Sequence, residues 1–199
     1  MGWIHRALLA VVTATTAIAF AAQASTVSLL PNPQTIALVG NSANVTISVD
    51  SMTNVEGFSF GILFDATVVK QIGSITLGTL LPAFDGMTGC LVPTIVRDNT
   101  LGKVCISTAC VEGHSGMGDL MVIPFQGVDM GMSALTFSST ACSASPPAGG
   151  CSFESNIGGA STCSGTTNGE VDVLGPTHTP TETPTLTQTP TLTGMQAKS

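Results

Sequence analysis

With 199 residues, 43% of them hydrophobic and only 9% charged, the chain has room for one domain with a real core plus short flanking segments. Its net charge is -7 and it holds only five Lys and Arg, which excludes the basic patch needed to neutralise nucleic-acid phosphates and disfavours anionic membrane surfaces. Low charge with abundant Gly, Ser and Thr suits strands and tight turns better than surface helices, so composition alone predicts an all-β fold.

Residues 1–24 read as a signal peptide: His5 and Arg6 precede the uncharged apolar run Ala7–Ala22, and Ala22-Gln23-Ala24 supplies the small residues of a cleavage site. The run is on the short side for spanning a bilayer core of ~30 Å, so cleavage after Ala24 is preferred to an uncleaved anchor. The predicted product is secreted or displayed at the cell surface, with nothing left to insert in a membrane. Cleavage removes Trp3, the only Trp, and the sequence has no Tyr.

The mature domain is expected to span residues 25–174. Val27 and Leu29 mark a first strand, Pro31-Asn32-Pro33 breaks it at an edge or a switch between sheets, and Thr35–Val39 resumes extended backbone. Asn44–Asp50 alternates Val45, Ile47 and Val49 with polar residues, as a half-buried strand does. Glu56–Asp65 follows as the central strand, with Phe58, Phe60, Ile62 and Phe64 forming one apolar row. The opposite row, Gly57, Ser59, Gly61 and Leu63, is small and uncharged, unusual for a solvated face and suited to something flat packing on it.

Val68–Leu77 predicts a strand bent near Gly73, and Leu80–Gly89 a loop. The turn formers of Asp98–Gly102 predict a hairpin between Cys90–Arg97 and Lys103–Cys110. A turn centred on Thr100 sets Ile95 opposite Cys105 and Cys90 opposite Cys110, making Cys90–Cys110 the preferred disulfide. Glu112–Gly118 reads as a Gly-rich loop, Leu120–Val128 as an edge or bulged strand containing Pro124, Ser133–Ser138 as a short strand and Gly169–Leu174 as the closing one. Between the last two lies a Cys-rich insertion, residues 139–167, with Cys142, Cys151 and Cys163. Together with Cys90, Cys105 and Cys110 these make six cysteines, an even count that behind a signal peptide points to disulfides in an oxidising compartment. No pair shows C-x2-C spacing and His114 has no partner at ligand spacing, which argues against a metal site. Residues 175–199 repeat a Thr-x-Thr-Pro theme with little to bury, as an extended linker or tail does; Pro176–Thr193 would span about 55 Å at ~3.1 Å per residue.

In order and spacing these pieces resemble the cohesin domain, the receptor module of cellulosome scaffolds. The resemblance is carried by Gly40–Val49, by Gly57-Phe58-Ser59-Phe60 running to Phe64-Asp65, by Leu77–Leu81, by Gly102-Lys103-Val104, and by Gly116–Leu120 leading to Ile123 and Phe125. Phe64 and Ala66 stand where the family has Tyr and Pro. The resemblance implies a nine-stranded jelly-roll β-sandwich without catalytic activity that binds a dockerin-like module through one sheet face. It carries the partner contacts onto Ser59, Gly61 and Leu63, with Arg97 and Lys103 beside them.

Other chemistry reads weakly. Gly113-His114-Ser115-Gly116 approaches a nucleophile elbow but has Met117 where Gly is required, and no third catalytic group is apparent. Asp98, Asn99 and Asp119 offer hard oxygens for a structural calcium ion without forming an EF-hand pattern, and no other cofactor is implied. Carbohydrate binding, linked to polysaccharide breakdown, is the rival function; it lacks the Trp and Tyr platforms such sites use. A structural or adhesive surface domain is the third reading.

Overall fold

The computed structural model describes residues 23–24, 26–142, 150–155 and 159–175. Almost all of the predicted signal peptide, part of the Cys-rich segment and nearly all of the Thr/Pro-rich tail lie outside these residues. Within them the chain is all-β: thirteen strand segments and one 3-10 turn, where a clean set of nine was expected. The strands are β1 (Gln23–Ala24), β2 (Thr26–Leu30), β3 (Gln34–Ile36), β4 (Ser42–Leu63), β5 (Val69–Gln71), β6 (Thr76–Leu77) and β7 (Thr94–Asp98). They continue with β8 (Lys103–Gly127), β9 (Gly131–Phe137), β10 (Cys151–Ser155), β11 (Gly159–Thr162), β12 (Gly165–Thr167) and β13 (Gly169–Val173); the 3-10 turn is Ser139–Ala141.

Strands β4 and β8 form an antiparallel spine. Their first halves and last halves lie in different parts of the sandwich: Val45 pairs with Ile123 at one end and Leu63 with Lys103 at the other. The two strands expected at Asn44–Asp50 and Glu56–Asp65 are one continuous strand, because no Pro or Gly interrupts Ser42–Glu56. In place of a break between them the strand carries bulges, with Asn54 in the left-handed region at φ 51°. The expected loop at Glu112–Gly118 likewise lies inside β8. It is a heavily bulged stretch in which five steps of β8, from His114 to Ala109, match two steps of β4, from Val55 to Gly57.

The prolines fall where a missing N–H is tolerated. Pro31 and Pro33 separate β2, which pairs with β4, from β3, which pairs with β13 in the other sheet, so this segment is a sheet switch as expected. Pro124 sits in β8 opposite Asn44, and its carbonyl accepts from Ile72 N at 3.0 Å. In a strand the N and O of one residue point the same way, so the missing donor faces the gap between β5 and β6, where Gly73 turns the chain at φ 57°.

The apolar row of the central strand is core: Phe58, Phe60, Ile62 and Phe64 are all buried. Phe60 lies 5.2 Å from Phe58, 6.1 Å from Phe137 and 5.9 Å from Phe153 between ring centroids, and Phe64 packs edge-on against Phe125 at 5.4 Å. Each ring fully removed from water stabilises the fold by roughly 1.5–3 kcal/mol. Phe153 corrects the reading of 139–167 as a surface insertion: β10 pairs directly with β4, Phe153 against Phe58, and its ring is fully buried. Just past the central strand, Asp65 accepts from Thr67 through both the side-chain hydroxyl and the backbone N–H, which holds its carboxyl below the ordinary 3.8 and fixes the corner.

Candidate partner-binding face

The face opposite the phenylalanine row belongs to the sheet β10–β4–β8–β7. Alternation puts Ser59 on it, and the register extends that position across four strands: Ser152 pairs with Ser59, Ser59 with Ser107, and Ser107 with Thr94. The result is a cross-strand row of hydroxyls, buried at Ser152, half-buried at Ser59 and Ser107, and exposed at Thr94. The next row holds Glu154, Gly57 and Ala109. From these rows Ser59, Ser107, Thr94, Ala109 and Glu154, together with Leu91 and Val92, line a shallow depression of about 270 Å³. Leu91 and Val92 form its rim and also wall a larger apolar groove of about 500 Å³ that runs to Phe84, Ile75 and Leu77.

The hairpin register explains why sequence reasoning missed Thr94 in this row. The loop Asn99–Gly102 leaves Asp98 paired with Lys103, with Asp98 Oδ1 accepting from the N–H groups of Thr100 and Leu101 at 3.0 Å. The turn is therefore centred between Thr100 and Leu101, and Ile95 faces Ile106 rather than the expected Cys105. That one-residue shift brings Thr94 opposite Ser107. An irregularity at Val92-Pro93 then absorbs the shift: Leu91 N donates to Ala109 O and Val111 N to Gly89 O, so Cys90 and Cys110 face each other and are disulfide-bonded, as expected.

The predicted contact residues do not form one open surface. Ser59 lies on the floor of the depression. Gly61 lies on the same face but is buried beneath the turn Ser138–Cys142, and an added Cβ would collide with the Ser138 carbonyl and lie 3.1 Å from Ala141 Cβ. This is where β10 leaves β4 and β9 takes over: Gly61 N donates to Gly150 O, and Ser138 N donates to Gly61 O, both at 2.8 Å. The Cys105–Cys142 disulfide ties the turn down across the face. Beyond it Leu63 and Lys103, both half-buried, form a second small patch with Thr136 and Asp98. Arg97 belongs to the other face, since it pairs with fully buried Val104; its guanidinium donates to Gln71 Oε1 at 2.9 Å and Gly73 O at 3.1 Å and clamps the β5–β6 bend.

The remaining chemistry is engaged elsewhere. Ser115 Oγ accepts from Asn54 N at 2.9 Å, on the bulged stretch of β8. Among the described residues, one group has ligand atoms close enough to hold a metal ion, Cys90, Cys110 and His114, but its two sulfurs are bonded to each other and offer no thiolate. Asn99 spends its amide on both backbone groups of Gln71 and so ties the hairpin loop to β5, while Asp98 caps the turn itself. The third disulfide, Cys151–Cys163, staples β10 to the segment after β11.

These features define a β-sandwich with a spine of two long strands and one partly open sheet face. Solved structures show which sandwich it is. The type II cohesin dyad from the adaptor ScaA scaffoldin of Acetivibrio cellulolyticus matches over 74% of this chain with a TM-score of 0.59 and 19% identity; the chain spans about half of that structure, 48%. A type II cohesin–X-dockerin complex from the same organism matches over 77% of this chain and 99% of its own, with a TM-score of 0.58 and 18% identity. A non-cellulosomal cohesin from the archaeon Archaeoglobus fulgidus matches over 78% and 92%, with a TM-score of 0.54 and 14% identity. No protein-family model and no curated protein matches the chain. The protein has the cohesin fold.

Proposed function

We propose that the protein is a secreted, noncatalytic recognition module that takes a dockerin-like protein on the hydroxyl-lined half of the β10–β4–β8–β7 face. The observation that carries this reading is the row Ser59–Ser107–Thr94, a concave polar floor backed by buried Ser152 and set beside the apolar rim of Leu91 and Val92. Short hydroxyls let a partner's backbone or helix approach closely, and an adjacent apolar rim supplies the desolvated contact that most interface energy comes from. One of the matching solved structures is a cohesin bound to an X-dockerin, which supports the choice of partner class. Three disulfides suit an extracellular setting. Leu63 and Lys103 form a separate patch, past the turn that covers Gly61, and are left outside the proposed site.

Calorimetric titration against a panel of dockerins tests the proposal. Binding by at least one is expected, with Ser107→Arg weakening it by tenfold or more, the loss of about 1.4 kcal/mol, while leaving the melting temperature unchanged. Binding by none of them, together with retention on insoluble glycan, would replace the reading with polysaccharide recognition. Binding that Ser107→Arg leaves untouched would move the site elsewhere on the sandwich.

A further inference from the structure

The end of the sandwich from which the chain runs on into its Thr/Pro-rich segment is rich in exposed apolar side chains. Leu38, Val39, Val128, Met130, Met132 and Leu174 are all exposed there, from 41% at Val128 to 66% at Met132. Backbone contacts bring these segments to one end, where Asp129 and Asp172, the latter paired with Met132, stand among the apolar groups. Leu174 N donates to Ile36 O, Val173 pairs with Gly131 between the two methionines, Gly40 N donates to Gly127 O, and Asn41 N donates to Leu38 O. Gly175 packs so closely on Met130 that an added Cβ would meet its sulfur. Exposed apolar side chains gathered at one end in this way mark a contact surface.

Six side chains are far fewer than the 20–30 residues a side that hold separate proteins together, which argues against a second copy as the cover. A segment of the same chain needs much less, because tethering supplies an effective concentration in the millimolar range. The segment that follows, Pro176–Ser199, starts at the edge of the patch. As a polyproline II helix with three residues per turn it would place Thr177, Pro180 and Thr183 along one side, the only one of its three sides between Pro176 and Pro184 that carries no ionisable group. Methionines adapt their shape to irregular partners such as proline rings and threonine methyls.

We propose that Pro176–Pro184 docks on this pole, with Thr177, Pro180 and Thr183 against Met130, Met132 and Leu174, so that the stalk leaves the domain in a set direction. The site is separate from the partner-binding face.

Methyl-labelled NMR of the full chain provides the test. Nuclear Overhauser contacts from the Met130 and Met132 methyl groups to protons of residues 177–183 are expected, unchanged on tenfold dilution. Met130→Ser with Met132→Ser, both at exposed positions, should erase them without altering the core spectrum, and Pro180→Gly should do the same from the other side. Absent contacts in the unaltered chain would overturn the proposal. Contacts that fade on dilution while sedimentation reports a dimer would assign the pole to a second copy instead.

Discussion

Gly61 shows how much one residue organises. It lies on the central strand where β10 gives way to β9, and the connecting turn has to cross directly over it. Any side chain would push Ser138 and Ala141 away and pull on the Cys105–Cys142 disulfide that holds the turn down. Gly61→Ala is therefore expected to cost about 1–3 kcal/mol as an overpacking change, measured by denaturant unfolding. A variant as stable as the original would show that the turn yields freely. The alternation of Phe58, Phe60 and Ile62 announced which face Gly61 belongs to, and that part was legible because strand period is a local property. What covers the face was not legible: the turn comes from residues nearly eighty positions later, and no local pattern in Ser138–Cys142 names its target.

At the scale of elements, β10 and β7 carry the same lesson in opposite ways. The segment after Ser138 has little apolar content and reads as surface, yet Phe153 completes the aromatic cluster around Phe60. Sequence hinted at it only through a single Phe flanked by Cys151 and Cys163, whose disulfide brackets the strand. Phe153→Ala should cost about 3–5 kcal/mol, as deletion of a buried ring does, whereas a surface insertion would barely register the change; equilibrium unfolding separates the two. In β7 the pattern was visible and the error was one of register. Asx-type hydrogen bonds from Asp98 moved the turn centre by half a residue, and half a residue decides whether Thr94 or Pro93 stands opposite Ser107. Thr94 joins the hydroxyl row of the candidate site because of that shift.

For the molecule as a whole the question is what holds a sheet with so many short strands together. One continuous core joins both halves of the β4–β8 spine, but β1, β6 and β12 are two or three residues long and many connections carry Gly or Pro in place of packing groups. The three disulfides close loops with sequence separations of 37, 20 and 12. On the loop-entropy account each contributes about 3–4 kcal/mol, so together they are comparable with the 5–15 kcal/mol of net stability that a whole domain has. The fold is thus expected to depend on an oxidising setting, in keeping with its proposed export. Full reduction and alkylation should lower the melting temperature by more than about 20 °C or unfold the chain outright, as followed by far-UV circular dichroism. A reduced chain that melts within a few degrees of the oxidised one would show that the aromatic core and the long β4–β8 ladder suffice, and would remove the argument that this domain needs to fold outside the cytoplasm.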